Sequence, residues 1–128
     1  MTIEDGVPTV AEYRALRAAA GWPSPDDDTC RAALAGTVHG VRARSGNELV
    51  GMARLVGDRA MYLLVVDVVV DPGYQGGGLG RRMVERLTAV AAGLGVRRVL
   101  LVAADDVVAF YAGLGFERDG SHLMRLEV

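Results

Sequence analysis

The sequence predicts a mixed α/β domain: a central mixed sheet containing a parallel strand pair, with helices on its flanks. Three observations carry this. The stretch Tyr62–Arg82 reads YLLVVDVVVDPGYQGGGLGRR, an apolar β-branched run that breaks into glycines and then into a periodic, arginine-bearing segment. A second apolar run, Val99-Leu100-Leu101-Val102, follows that segment. Strand, helix, strand is a crossover, so the two strands are parallel. The first third of the chain carries helix-capping and hairpin signals.

Met1 to Pro8 reads as an edge strand or a loose terminus. Thr9, with Glu12 three residues on, is a capping box. Val10, Tyr13, Leu16 and Ala20 then share a helical face, and Gly21 ends it. Trp22-Pro23-Ser24-Pro25 is a stiff aromatic loop. Asp26, Asp27 and Asp28 open a second helix at the end its dipole favours, and Gly36 closes it. Cys30 falls in that helical pattern and reads as a small buried hydrophobe. Thr37–Arg44 and Glu48–Val56 are the arms of a hairpin around Ser45-Gly46-Asn47. After Gly57-Asp58, the run Ala60–Val70 is the central strand, apolar on both faces.

Leu79, Met83, Val84, Leu87, Val90, Ala91 and Leu94 make the buried face of the next helix, with Gly93 and Gly95 as stop signals. Arg97–Ala103 is the following strand, again expected to be buried on both faces. Asp105 or Asp106 is expected to cap a helix carrying Val107, Phe110, Tyr111 and Leu114. Phe116–Asp119 and His122–Glu127 are expected to form a last antiparallel hairpin around Asp119-Gly120.

One domain accommodates 128 residues, with 51% hydrophobic and 23% charged residues as in ordinary globular chains. The net charge of −2 gives no footprint for a nucleic-acid partner. All 14 basic residues are arginine, spread along the chain, and read as solvated surface. A single cysteine excludes an internal disulfide and fits a reducing compartment. No basic-then-apolar leader opens the chain, and its longest apolar run is too short for a membrane helix. The expectation is a cytoplasmic protein without a membrane partner. His39 and His122 stand apart, without metal-ligand spacing, and no metal is expected.

Chemistry centres on the glycine cluster. Gly76, Gly77, Gly78 and Gly80 permit a tight turn of bare backbone leading into a helix start. Free N–H groups there, at the positive end of the helix dipole, make an anion site, so a phosphate-bearing cofactor is expected. A Walker A loop needs a Gly-Lys-Ser/Thr ending, but Leu79-Gly80 follows Gly78 and the chain has no lysine. A dinucleotide fingerprint fails too, because its third glycine falls on Arg81 or Met83. Asp67 interrupts the apolar strand. A carboxylate there must face a cleft, find donors or take a proton. It could serve as a base for an incoming amine, bind its ammonium, or be a β-bulge carboxylate bonded to backbone amides.

Gln75-Gly76-Gly77-Gly78-Leu79-Gly80 resembles the acetyl-CoA pyrophosphate loop of the GNAT superfamily of N-acetyltransferases, Arg/Gln-x-x-Gly-x-Gly/Ala. Asp67-Val68-Val69-Val70-Asp71-Pro72 and Ala109-Phe110-Tyr111-Ala112-Gly113-Leu114-Gly115-Phe116 resemble its flanking segments, in order. The resemblance covers about the last two-thirds of the chain. It implies a GNAT fold, in which two central parallel strands splay to admit the pantetheine arm. It implies acetyl-CoA held by the amides of Gln75, Gly76, Gly77, Gly78, Leu79 and Gly80 with Arg81 or Arg82 nearby, and by the backbone of Val68, Val69 and Val70. It implies Tyr111 as the acid that protonates the departing thiolate, with Asp67 as its catalytic companion. Many members carry an asparagine seven residues before the tyrosine; Ala104 stands there, and Asp105 either replaces it or serves only as a helix cap.

The acceptor side in the family is built from the first third, where Trp22, Tyr13 and Arg54 are candidates. The expected activity is transfer of an acetyl group to the primary amine of a small molecule by direct attack in a ternary complex. Dimers are common in the family, so a homodimer is also an expectation. The rival reading is a non-catalytic acyl-CoA-binding regulatory module.

Overall fold

Thr9 does what its spacing from Glu12 predicts. In the computed structural model, which describes residues 1–128, Thr9 Oγ1 accepts from the Glu12 N–H at 3.1 Å and Glu12 Oε1 accepts from the Thr9 N–H at 3.0 Å. That box starts α1, Val10–Ala19, whose Tyr13 and Leu16 are buried. The Asp26 carboxylate accepts from the Thr29 N–H at 2.8 Å and starts α2, Asp27–Ala35. Cys30 is fully buried on its inner face, as a small hydrophobe should be.

Glu12 also reaches across to strand β2 (His39–Ser45), where Arg44 Nη1 donates to its Oε2 at 2.7 Å. That guanidinium is the main reason the Glu12 carboxyl is held down at about 2, from 4.5. A carboxyl depressed in the folded state stabilises the fold above its unfolded value and ceases to do so as it protonates. The urea midpoint of the wild type is therefore expected to fall toward that of Glu12→Gln as pH drops from 4.5 to about 2.

The sheet comprises β1 (Thr2–Asp5), β2, β3 (Glu48–Gly57), β4 (Tyr62–Val70) and β5 (Arg98–Leu100), in that spatial order. The first three pairings are antiparallel and β4–β5 is parallel. The edge-strand reading of the N-terminus is thus the one realised. Helix α3, Leu79–Gly93, makes the crossover between β4 and β5. Its Leu79, Met83, Leu87 and Ala91 pack with Val41, Val50, Leu55 and Leu63 in the larger core. On the opposite face, Tyr13, Leu16, Cys30 and Leu34 from α1 and α2 pack with Leu49, Met52 and Val69. Two cores on two faces explain why the central strands are apolar throughout.

The C-terminal third departs from expectation. The strand expected over Arg97–Ala103 shrinks to Arg98–Leu100, and Leu100 and Val102 are exposed rather than buried. The final hairpin does not form: no strand follows β5. The turn chemistry is present, but Asp119 Oδ1 accepts from the N–H and hydroxyl of Ser121, closing a local side-chain turn while its flanks stay unpaired. Neither Asp105 nor Asp106 caps a helix. Asp105–Val107 is a 3₁₀ turn, and α4, Val108–Ala112, starts from Val107 without a side-chain cap. No residue after Val96 is buried.

Candidate active site

The site is organised by one extra residue in β4. Register runs Leu55↔Val65 and Arg54↔Val66, then resumes at Met52↔Val69, so Ala53 faces both Asp67 and Val68. Asp67 absorbs the bulge with φ +54°. An added residue inverts which side chains point to which face. Leu63 and Val65 lie on the α3 side, and so do Val68 and Val70, while Val69 lies in the α1–α2 core. The Asp67 side chain consequently turns toward α1.

There it meets three donors. Tyr13 Oη donates to Oδ2 at 2.6 Å, Arg54 Nε to Oδ2 at 2.8 Å, and Arg17 Nη1 to Oδ1 at 2.7 Å. The Asp67, Arg54 and Arg17 side chains are 10%, 11% and 19% exposed, so these are largely desolvated ion pairs. Burial first, and then the bond to Asp67, push the Tyr13 phenol above its ordinary pKa. Arg54 also donates to Ala33 O and Thr37 Oγ1. Arg17 holds the aromatic loop, donating to Pro23 O at 2.7 Å and Ser24 Oγ at 3.1 Å, with its guanidinium 5.5 Å from the Trp22 ring centre. Tyr13, Arg54 and Trp22 are thus gathered around Asp67. Arg17 is therefore not solvated surface but part of the cluster, and its spacing of four from Tyr13, on one helix face, is the signal in the sequence.

The bulge also sorts the strand's backbone. Asp71 N–H donates to Val50 O, and register makes Met52↔Val69 the next hydrogen-bonded pair. Val69 therefore spends its N–H and C=O on β3. Of the three valines expected at a ligand, only Val68 and Val70 keep their backbone on the other edge. That edge is open. Pairing between β4 and β5 covers Tyr62↔Arg98, Leu63↔Val99 and Leu64↔Leu100, and β4 then runs on to Val70 without a β5 partner. The parallel strands separate as the fold class requires.

At the end of the open edge lies the glycine loop. Gln75 Nε2 donates to Val70 O at 3.1 Å and ties the loop to the strand. Gly76 and Gly78 adopt φ +87° and +80°, a region L side chains avoid. Gly78 precedes α3 with no side-chain cap, and no acidic residue sits in the helix's first turn. None of the N–H groups from Gln75 to Arg81 donates to a protein acceptor. A Cβ at Gly76, Gly77 or Gly78 would have no neighbour within 4 Å, so the cradle is open. Bare amides, a helix dipole and no resident carboxylate suit a phosphate-bearing group.

Gly80 does a different job. It faces α4: a Cβ there would make ordinary contacts, 3.5 Å from the Phe110 ring and 3.7 Å from Val70, so α4 packs directly against the start of α3. Arg81 Nη2 donates to Gly113 O at 3.1 Å and anchors the other end of α4. Arg82 is exposed beside the loop. Tyr111 is set by edge-on contacts with Phe110 and Phe116, ring centres 4.9 and 5.9 Å apart. Its hydroxyl makes no hydrogen bond within the chain, and burial lifts its pKa above the ordinary value. Tyr111 lines a cavity of about 950 Å³ with Leu64, Val99–Ala103, Asp105 and Phe116.

The sequence profile of the acetyltransferase (GNAT) family matches residues 9–116. The chain belongs to the GNAT family. The match extends the resemblance through both N-terminal helices. Among relatives of this GNAT chain, the histone acetyltransferase TAP1 of Glycine max is 37% identical over 121 residues, 86% of this chain and 52% of that protein. The chloroplastic serotonin N-acetyltransferase 2 of Oryza sativa subsp. japonica is 39% identical over 103 residues, 77% and 52% of the two chains. The chain thus spans about half the length of these curated relatives. A GNAT-family acetyltransferase from Streptococcus pneumoniae superposes with a TM-score of 0.85 at 26% identity, over 98% of this chain and 97% of that one. No helix of this GNAT chain is long and apolar enough to cross a membrane.

Proposed function

We propose that this GNAT domain transfers the acetyl group of acetyl-CoA to the primary amine of a small molecule, by direct attack in a ternary complex. The observation that carries the reading is the unpartnered row of N–H groups from Gln75 to Arg81, set where β4 parts from β5. In this reading the loop amides hold the pyrophosphate and Arg82 adds positive charge. The pantetheine arm lies along the free edge of β4 as an added strand would. The N–H of Val68 or Val70 polarises the thioester carbonyl as the amine attacks its carbon. Tyr111 gives its proton to the thiolate as the C–S bond breaks.

Asp67 takes a positioning role. Three short hydrogen bonds already engage its oxygens, so accepting a proton from an amine would break an ion pair. It holds α1 and the Trp22–Pro25 loop over the strand through Arg17. The ammonium proton then leaves to water. Two relatives carry amine acceptors in their names, a histone and serotonin. The clamped loop favours the smaller kind. A free Cys30 thiol suits a reducing compartment such as the cytoplasm.

Titration with acetyl-CoA followed by calorimetry tests the cofactor, and an amine panel read by thiol release tests the transfer. No binding at millimolar concentration rejects the reading. The saturated Asp67 is the one observation that favours the non-catalytic regulatory module. Binding without thiol release from any amine would select it.

Gly77→Asp offers a sharper check. Gly77 has no positive φ, and its Cβ would meet nothing, so the fold tolerates a side chain there. The added carboxylate would compete at the anion site. Acetyl-CoA affinity is expected to fall about tenfold or more, about 1.4 kcal/mol, with Gly77→Asn much milder. The melting temperature of the free protein should stay near wild type.

A further inference from the structure

The parallel ladder ends at Leu64↔Leu100, and both residues line the cavity of about 950 Å³ that also holds Tyr111. The cavity therefore opens where β4 and β5 part. Val99 and Leu101 pack on the core beneath α3, so Leu100 between them faces the other side of the sheet. Leu64 does the same between Leu63 and Val65. That side carries α1 and α2, yet no residue of either helix lines the cavity. Leu100 and Val102 are left 40% and 62% exposed there.

Two properties of the lining select what can fill it. The first is apolarity: Leu64, Leu100 and Val102 are joined by Val108 of α4 and by Leu123. The volume lies at the upper end of the range small-molecule sites use, about 300–1,000 Å³. An acetyl group fills a small part of that space, and covering the rest with apolar atoms is favourable. The second is charge. Asp105, Glu117 and Asp119 line the cavity against Arg118 alone, and none of the four is in an ion pair. Asp119 Oδ1 is engaged by Ser121, which leaves Asp105 and Glu117 as free carboxylates. Such a mouth draws in a cation and turns away an anion.

We infer that this cavity binds the apolar body of a primary amine, and that it is the acceptor subsite of the transfer proposed above, on which that second clause rests. The substrate class is an arylalkyl- or alkylamine, not an amino sugar or an amino acid. Leu100 and Val102 set the preference. With the body seated there, the amino group lies toward the gap where the strands part and Tyr111 stands. The nitrogen lone pair forms the N–C bond as C–S breaks, and the thiolate takes the Tyr111 proton. The proton that the nitrogen then sheds returns to Tyr111 through water.

The test has one arm with catalysis and one without. In thiol release, 2-phenylethylamine is expected to exceed ethanolamine in kcat/KM by about thirtyfold or more, the scale of burying one aromatic side chain. Phenylalanine, which adds a carboxylate to the same body, should be about tenfold poorer than 2-phenylethylamine. In the double variant Leu100→Ser with Val102→Ser, the phenylethylamine-to-ethanolamine ratio should fall to about threefold or less. Both side chains are exposed, so the variant should fold. In the second arm, 2-phenylethylamine is titrated into the full chain with and without CoA. The methyl resonances of Leu100, Val102 and Leu123 are expected to shift. Shifts without thiol release from any amine would keep the cavity as an amine site and reject the transfer reading instead. Unmoved methyls, or ethanolamine turned over as well as 2-phenylethylamine, would overturn the inference and leave acetyl transfer standing. A gain from acetyl-CoA to butyryl-CoA with no response to 2-phenylethylamine would also overturn it, because the cavity would then hold the acyl chain.

Discussion

Asp67→Ala is expected to cost about 3–5 kcal/mol of folding stability, because removing one partner of a desolvated ion pair leaves the other charges buried and unpaired. Arg54 and Arg17 would both lose their carboxylate, and Tyr13 its acceptor. Asp67→Asn keeps the shape and an oxygen acceptor, so its loss should be smaller. The stability change separates this role from that of a base. A base at the surface of a cleft would lower turnover and leave the urea midpoint alone. Loss of midpoint together with a raised KM for the amine, and a smaller change for acetyl-CoA, is the result expected of a residue that holds the acceptor loop. An unchanged midpoint would show that the cluster around Asp67 contributes little to the fold.

Tyr111→Phe is expected to lower kcat about a hundredfold, the usual scale for one general acid, and to leave acetyl-CoA affinity unchanged. The fold should not suffer, since the hydroxyl bonds to nothing in the chain and the ring contacts with Phe110 and Phe116 remain. Burial raises the phenol's pKa, so it keeps its proton through the neutral range. Turnover limited by this acid should fall only on the alkaline side, above the ordinary tyrosine value of about 10. Stopped-flow thiol release against pH measures both. Equal turnover for the two proteins would remove Tyr111 from the reaction.

The strand, glycine loop and helix were legible because their signals are local. Glycine spacing, a capping box and helical periodicity each act within a few residues, and each element formed within a residue or two of its expected bounds. Asp67 was visible as an interruption, but its partners were not. Tyr13 and Arg17 lie more than one element away in the chain, and a single inserted residue decides which face the carboxylate takes. A bulge at Asp67 was one of the open readings, but with both faces of LLVVDVVV apolar the sequence could not choose it over the others. The same insertion decides which strand edge the Val69 backbone faces. The last hairpin failed differently. Asp119-Gly120 carries turn chemistry, but a turn residue cannot report whether its flanks find a strand to pair with, and none follows β5.

That every buried residue lies at or before Val96 has a thermal consequence. The helix bearing Tyr111 is held to the molecule by a three-pair ladder, a ring contact, one arginine and the half-buried Val99, Leu101 and Phe116 on the larger core. Such a piece detaches at little cost and without melting the rest. Warming should therefore silence the protein well before its circular dichroism collapses. A ligand that grips the tail end raises the temperature at which it goes quiet.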